Sequence, residues 1–319
     1  MSLCSSRIRD AARVADTLAL SVRTAITTLG RRGAVLGVSG GVDSSVCAAL
    51  CVRAVGADRV LGLRMPERDI GGDAADVAKR VCDALGIRTI LEPITTTLES
   101  LGCYQRRDDV IRSVVADYQP SWRHKLVRSA PGGVVVFSLV VERPDGATTR
   151  HRLAADAYRA LVAATNMKQR VRKLVEYSWA DREGYAVIGT PNRLEFDQGF
   201  FVKDGDGLAD IKPIARLSKH EVYQLAETLG LPIEVRRRTP TTETFSLPQT
   251  QEEFYFGYPL ETMDLLVDAA DRDASIAETA RLTGLSEADA ASGLREVRRR
   301  RVATAYLHAA AIIPDPFAV

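Results

Sequence analysis

One segment near the N-terminus constrains the fold more than any other part of the chain. Residues 34–38, Ala-Val-Leu-Gly-Val, form a short uninterrupted apolar run, which is typical of a central parallel strand buried on both faces. The string Ser-Gly-Gly-Val-Asp at residues 39–43 interrupts this run, and helical spacing resumes at residue 44. The predicted unit is therefore a buried strand, a glycine-rich turn and a helix, which is a common building block of α/β proteins.

The same alternation of short strands and amphipathic helices continues along the chain. It predicts an α/β fold with a doubly wound parallel sheet and right-handed crossovers. The predicted strands are residues 34–38, 59–63, 87–91 and 185–188. The predicted helices are residues 7–29, 44–55, 73–85, 166–181, 218–229, 260–270, 275–282 and 287–307.

Two segments do not follow this alternation. Residues 134–141 and 148–153 flank the turn sequence Arg-Pro-Asp-Gly, which predicts an inserted β-hairpin over residues 132–153. Residues 236–251 are rich in Thr, Pro and Arg and have no periodicity, so we expect a long functional loop. The predicted organisation is a nucleotide-binding domain over residues 1–259 and a C-terminal helical extension over residues 260–319.

Composition excludes several classes of function. The 43 Lys and Arg residues nearly balance the 41 Asp and Glu residues, so there is no long-range electrostatic reason to expect a nucleic-acid partner. The sequence contains no apolar run near the roughly 20 residues that span a bilayer, and no signal-peptide pattern. The five cysteines and four histidines form no zinc-binding spacing. We expect a cytoplasmic protein with no membrane partner.

The glycine-rich turn has the features of a phosphate-binding loop. Its backbone amides and the first turn of the following helix point to one spot, where the helix dipole favours an anion. Ser39 and Ser44 add hydroxyl donors, and Asp43 adds a carboxylate that can hold Mg²⁺ against phosphate oxygens. Neither the GxxxxGK[ST] string nor the GxGxxG string occurs here. The alternative interpretation is a helix-capping turn without a ligand.

The string SGGVDSS at residues 39–45 resembles the pyrophosphate-binding loop of the N-type ATP pyrophosphatases, also called the PP-loop superfamily. This resemblance implies cleavage of ATP between the α- and β-phosphates. A carboxylate oxygen attacks the α-phosphorus, pyrophosphate leaves, and a nucleophile then displaces AMP. A fixed group of amides with Mg²⁺ would complement the charge on the departing pyrophosphate.

Motifs further along the chain resemble one branch of that superfamily, the NAD synthase family. They occur in the family's order at residues 166–172 (NMKQRVR), 189–195 (GTPNRLE), 199–210 (GFFVKDGDGLAD), 219 (Lys) and 240–243 (PTTE). Two positions depart from the family pattern: Asp204 replaces an aromatic residue and Leu208 replaces a glycine.

The resemblance implies roles for individual residues. The implied ATP contacts are Gly37, Ser39, Gly40, Gly41, Asp43, Ser44, Thr190, Lys219 and Thr241. The implied Mg²⁺ ligands are Asp43 and Glu195. The implied substrate contacts are Arg170, Lys203 and Asp210, with Arg299 and Arg300 in the place of a late His-Lys pair. The implied catalytic residues are Asp43, Lys203 and Lys219, which act by positioning and charge, and no general base is assigned.

The resemblance also implies a reaction: an ATP-dependent, Mg²⁺-dependent ligase that adenylates the carboxylate of deamido-NAD and transfers ammonia to it. We expect no glutaminase domain, so ammonia comes free or from a separate subunit, and we expect a homodimer. Two alternatives stay open. The same chemistry can act on another carboxylic acid in a natural-product or surface-polysaccharide pathway, or the chain can be an inactive paralogue that serves as a binding subunit.

Overall fold

A computed structural model of the chain describes residues 8–69, 73–129, 135–238, 241–242 and 244–314. Four parallel strands form the central sheet in the order β3-β2-β1-β7. They are β1 (Ala34–Gly37), β2 (Val60–Arg64), β3 (Arg88–Leu91) and β7 (Ala186–Val187). A parallel bridge between Ile188 and Ile211 continues the pairing beyond β7. The four predicted strands are therefore confirmed, with ends that differ by one or two residues.

Twelve α-helices are present in the described part of the chain. They are α1 (Ala11–Thr28), α2 (Val42–Val55), α3 (Asp73–Leu85), α4 (Thr95–Ser100), α5 (Cys103–Val114), α6 (Ala155–Glu183), α7 (Arg193–Gln198), α8 (Lys219–Thr228), α9 (Ile233–Arg237), α10 (Leu260–Asp271), α11 (Ile276–Thr283) and α12 (Glu287–His308). The sequence analysis did not predict α4, α5, α7 and α9, which are short or polar. It also predicted only the second half of α6. None of the described helices is both long and apolar enough to cross a membrane.

Helices cover both faces of the central sheet, so the predicted doubly wound arrangement is confirmed. Alternate residues of β1 explain the uninterrupted apolar run: Leu36 packs among α1, α2 and α8, whereas Val35 packs against α6 on the other face. Both side chains are fully buried. A strand whose successive side chains enter two different cores has no polar face.

A second, antiparallel sheet of three strands lies beside the first. Its order is β4 (Arg123–Ser129), β5 (Val136–Glu142) and β6 (Thr148–Arg152). The predicted hairpin of β5 and β6 is present. The predicted start of the insert at residue 132 is wrong, because β4 already pairs with β5 from Arg123 onward. The basic sequence of β4 concealed it, since only two of its seven side chains are fully buried. Residues 132–134 lie outside the described residues.

The C-terminal helices share a core with the earlier part of the chain. Leu266 of α10 and Leu294 of α12 pack with Leu194 of α7 and with Phe256, which ends a π-helical turn over Glu252–Phe256. This packing places the end of α12 beside the chain segment that follows α7, where several of the predicted substrate contacts lie.

Candidate active site

The turn between β1 and α2 has the geometry expected of an anion-binding loop. Gly40 has a φ of +84°, which only glycine adopts without strain. Gly41 precedes α2, and no side chain in the described structure caps that helix. The Ser39 hydroxyl accepts a hydrogen bond from the amide of Gly41 at 3.2 Å, and the Ser44 hydroxyl donates to the carbonyl of Gly41 at 3.1 Å. The serines therefore hold the loop, while the first amides of α2 lack a capping side chain.

A buried charge cluster lies next to this loop. Asp43 forms an ion pair with Lys219 at the start of α8 and accepts a hydrogen bond from the side-chain amide of Asn192 at 3.3 Å. The backbone amide of Asn192 donates to Glu195 at 3.1 Å, and Gln251 donates to the other Glu195 oxygen at 2.7 Å. Asn192 therefore connects the two carboxylates that the sequence analysis predicted as metal ligands.

The protonation behaviour of this cluster follows from burial and from the closeness of its charges. Burial, and then the negative charge of Asp43, raises the pKa of Glu195 to about 7. Burial alone would lower the pKa of the Lys219 ammonium, but the carboxylates of Asp43 and Glu195 outweigh it and hold that pKa above its usual value. Two carboxylates that oppose each other's ionisation favour a bound cation between them.

These residues fit Mg²⁺ better than a metal that needs a full protein cage. In the described part of the chain no group of three or more His, Cys, Asp or Glu residues could hold a metal ion. Mg²⁺ is usually held by one or two carboxylates together with water and substrate phosphates. Asp43 and Glu195 supply two carboxylates beside a phosphate-binding loop, so the donor set matches.

A cavity of about 730 Å³ extends from the loop between β1 and α2 to the end of α12. Most of the predicted site residues line this cavity. They are Gly37, Ser39, Gly41, Asp43, Ser44, Arg170, Thr190, Glu195, Lys203, Lys219 and Thr241. The structure therefore brings the predicted ATP, metal and substrate contacts to one continuous space. Pro240 and Glu243 of the last motif lie outside the described residues.

Arg170 and Lys203 lie at the far end of the cavity from the Asp43–Lys219 pair. The Arg170 guanidinium donates to the backbone carbonyl of Lys203 at 3.2 Å. The Lys203 ammonium donates to the carbonyls of Tyr306 at 3.0 Å and Ala309 at 3.2 Å, at the C-terminal end of α12. A cation at that end of a helix is stabilised by the helix dipole. Asp204, which replaces an aromatic residue of the family pattern, also lines the cavity with a φ of 60°.

The structure does not bring four of the predicted residues to the cavity wall. Gly40 is a buried residue of the loop and does not line the cavity. Asp210 accepts hydrogen bonds from the amide of Val187 at 2.8 Å and the hydroxyl of Tyr177 at 3.1 Å. These contacts fix the end of β7.

The other two are the late arginines, whose partners are protein groups. Arg300 is buried and donates to the carbonyls of Tyr255 at 2.7 Å and Phe256 at 3.0 Å. The Arg299 side chain is 59% exposed and pairs with Glu296 at 2.8 Å. Arg300 therefore joins α12 to the π-helical turn, Arg299 pairs within α12, and neither lines the cavity.

The sequence analysis assigned no role to several residues that the structure places in the site. Asn192 has a local signal, because it begins α7 and forms a capping box with Glu195 three residues later. The buried ion pair of Lys173 and Glu176 has no local sequence signal. Glu176 lies so close to β1 that a Cβ atom on Gly37 would be 2.9 Å from its carboxylate oxygen, which explains the glycine at that position.

Comparisons with known proteins agree with this geometry. Residues 14–124 and 143–302 match the family model described as NAD synthase. The chain is 48% identical over 320 residues to the NH(3)-dependent NAD(+) synthetase of Rhizobium rhizogenes strain K84, and the alignment covers 99% of this chain and 96% of that protein.

Two solved structures share the fold. They are the NMN synthetase from Francisella tularensis (TM-score 0.67, 20% identity, 97% of this chain and 100% of that chain) and the NH3-dependent NAD synthetase from Campylobacter jejuni (TM-score 0.63, 21% identity, 96% of this chain and 100% of that chain).

The doubly wound sheet, the loop after β1 and the adjoining carboxylate pair define a nucleotide-binding protein of the PP-loop superfamily. Within that superfamily, the chain belongs to the NAD synthase family, because the family model matches most of its length. The matched residues omit 125–142, a segment that contains most of β4 and all of β5.

Proposed function

We propose that this chain is an ammonia-dependent NAD synthetase. It would convert deamido-NAD, ATP and ammonia into NAD, AMP and pyrophosphate through an adenylated carboxylate. One observation carries the proposal: a single cavity joins the loop after β1, the Asp43–Lys219–Glu195 cluster and the cationic residues Arg170 and Lys203. The relatives that match nearly the whole chain are named for this activity.

The residues near α2 would bind ATP and stabilise the leaving pyrophosphate. The uncapped first amides of α2 would donate hydrogen bonds to the phosphate oxygens, and Lys219 would add a positive charge beside them. Thr190 and Thr241 line the same wall and offer hydroxyl donors to phosphate or ribose oxygens. Asp43 and Glu195 would hold Mg²⁺, which neutralises phosphate charge when bound.

The far end of the cavity would bind the deamido-NAD. Arg170 and Lys203 supply the positive charge that a dinucleotide pyrophosphate requires. Asp210, Arg299 and Arg300 are not part of this proposal, since their side chains lie outside the cavity wall and bond to protein groups. The reacting carboxylate is then directed towards the α-phosphorus, and the protein contributes positioning and charge.

The proposal includes features of the whole protein. We propose residues 1–259 as the catalytic unit and residues 260–319 as a helical extension that supports it, because α10 and α12 share a core with α7. We also propose a homodimer, a cytoplasmic location and free ammonia or a separate subunit as the nitrogen source. Sedimentation would test the dimer.

The test is a reaction with defined components. The protein is incubated with ATP, Mg²⁺, ammonium and deamido-NAD, and NAD and AMP are separated by chromatography. We expect equal amounts of both products. Glutamine in place of ammonium should give neither product.

Control reactions separate the alternatives. If AMP forms only with another acid, such as nicotinate mononucleotide, then that acid and not deamido-NAD is the substrate. Absence of AMP with every acid would favour the inactive paralogue. Asp16→Asn is a matched control for variants of Asp43. Asp16 also forms an ion pair, at 2.6 Å from Arg53, but this pair lies on the surface.

A further inference from the structure

The loop that carries Thr241 and Gln251 is attached to the edge of the inserted sheet. The backbone amide of His124 on β4 donates to the Ser246 hydroxyl at 2.9 Å, and the amide of Leu247 donates to the carbonyl of His124 at 3.1 Å. Gln249 donates from its side chain to the carbonyl of Leu126. Residues 246–249 therefore follow β4 much as an additional strand would.

A buried lysine holds the same loop from the opposite side. Lys168 of α6 is 1% exposed. Its ammonium donates to the carbonyl of Thr244 at 2.9 Å, to Glu67 at 3.0 Å and to Asp69 at 2.7 Å. Its three donors thus join the loop to the segment that follows β2. A buried ammonium with three acceptors is a strong and directional anchor.

The anchored loop faces the catalytic cluster. An antiparallel bridge joins Thr241 to Thr250, and the amide of Thr242 donates to the carbonyl of Gln249 at 3.1 Å. Thr241 and Thr242 line the cavity, and Gln251 donates to Glu195. A shift of this loop would therefore move both a nucleotide contact and the group that orients a metal-binding carboxylate.

We propose that Lys168 and the edge of β4 are positioning elements that hold residues 244–251 in place for ATP binding. This inference rests on the proposed function, because it assigns the loop to the ATP end of the cavity. It gives the inserted sheet a role in building the nucleotide site. Lys168 acts through the loop and contacts no substrate itself.

The first experiment compares Lys168→Met with Arg107→Met. Arg107 is 2% exposed and pairs with Asp69, which keeps Lys168 as a partner, and with Asp108, so its loss also removes a buried cation from a buried carboxylate. Arg107 contacts Asp69, Asp108 and Tyr104, which all lie outside the loop. We expect Lys168→Met to weaken binding of a non-hydrolysable ATP analogue by about tenfold, the factor for one lost charge-assisted hydrogen bond. Arg107→Met should change it by less than about twofold.

Lys168→Arg should recover much of the affinity, because a guanidinium can still donate to the carbonyl and the carboxylates. In turnover, KM for ATP should rise in Lys168→Met while KM for ammonium stays the same. Equal weakening in Lys168→Met and Arg107→Met would overturn the proposal. Analogue binding needs no acceptor substrate, so a failure of the proposed function would appear separately, as wild-type protein that binds the analogue but makes no NAD.

A milder variant covers the case in which loss of Lys168 prevents folding. Ser246→Ala removes the acceptor of the His124 amide from a half-buried position. We expect it to weaken analogue binding by about threefold. Ser113→Ala is the matched control, because its hydroxyl bonds only within α5, to the carbonyl of Val110. A folded Ser246→Ala protein that binds the analogue as tightly as Ser113→Ala would refute the positioning role of the loop's attachment to β4.

Discussion

Asp43→Asn is the substitution whose outcome depends most directly on the site described above. It removes one negative charge and keeps the volume of the side chain. The Asp43 side chain is 18% exposed and that of its partner Lys219 is 7% exposed. The change therefore leaves a buried ammonium without its nearest counterion and removes one of the two proposed Mg²⁺ ligands.

The cost in stability can be worked from the surroundings of Lys219. Breaking a buried ion pair by removing one partner costs about 3–5 kcal/mol. Glu195 stays close enough to favour the charged form of Lys219, so we expect the lower end, about 3 kcal/mol. In the surface control Asp16→Asn, the paired side chains are 63% and 43% exposed, and the loss should be below about 1 kcal/mol.

The assay measures urea denaturation and AMP release on the same preparations. Asp43→Asn should remain folded and should release AMP at least about a thousandfold more slowly, because it loses charge where the transition state needs it. Asp16→Asn should match the wild type in AMP release. A folded Asp43→Asn protein with wild-type activity would refute the metal assignment, and equal stability losses in the two variants would refute the burial argument.

Three further substitutions have defined outcomes. Burial raises the pKa of Asp264 to about 7 from 3.8, so the folded state holds the proton more tightly and loses stability as pH rises between these values. Asp264→Asn should abolish this loss, which amounts to about 4 kcal/mol between pH 4 and pH 8 in urea titrations. Gln251→Leu removes a donor that lowers the pKa of Glu195, so the Mg²⁺ requirement for activity should rise more below pH 7 than above it. Gly199→Ala places a Cβ 2.4 Å from that of Thr304 at a φ of +70°, and should lower the free energy of unfolding by more than about 1 kcal/mol.

The central sheet could be predicted from the sequence because its strands enter two cores. Val35 and Leu36 are both fully buried, so apolar character alone identifies β1. The same rule fails for β4, whose seven residues include Arg123, Lys125 and Arg128. Pairing with β5 and packing against α5 decide its structure, and neither is encoded in a local period.

The ATP end of the site could also be predicted from the sequence, since the loop after β1 and the carboxylates of Asp43 and Glu195 fall in contiguous motifs. Gln251 could not, because its contact with Glu195 joins residues 56 positions apart. The late arginines show the opposite failure. A basic run resembles a phosphate contact in sequence, but Arg300 is buried against backbone carbonyls that nothing local predicts.

The parts of the chain outside the family's motifs contact either a motif residue or the loop that carries Gln251, which donates to Glu195. Asp264 of α10 accepts a hydrogen bond from the backbone amide of Lys219, the end of α12 accepts two from Lys203, and β4 holds the loop that carries Gln251. Each contact uses a backbone group on at least one side, so it constrains the position of the residues it joins. Selectivity for a substrate depends on the side chains that line the cavity, and most of these side chains belong to the motifs. The insert and the extension therefore help to place the reactive groups, and α12 also lines the cavity with Thr304 and Tyr306. We expect the choice of acid to depend on cavity residues such as Asp204.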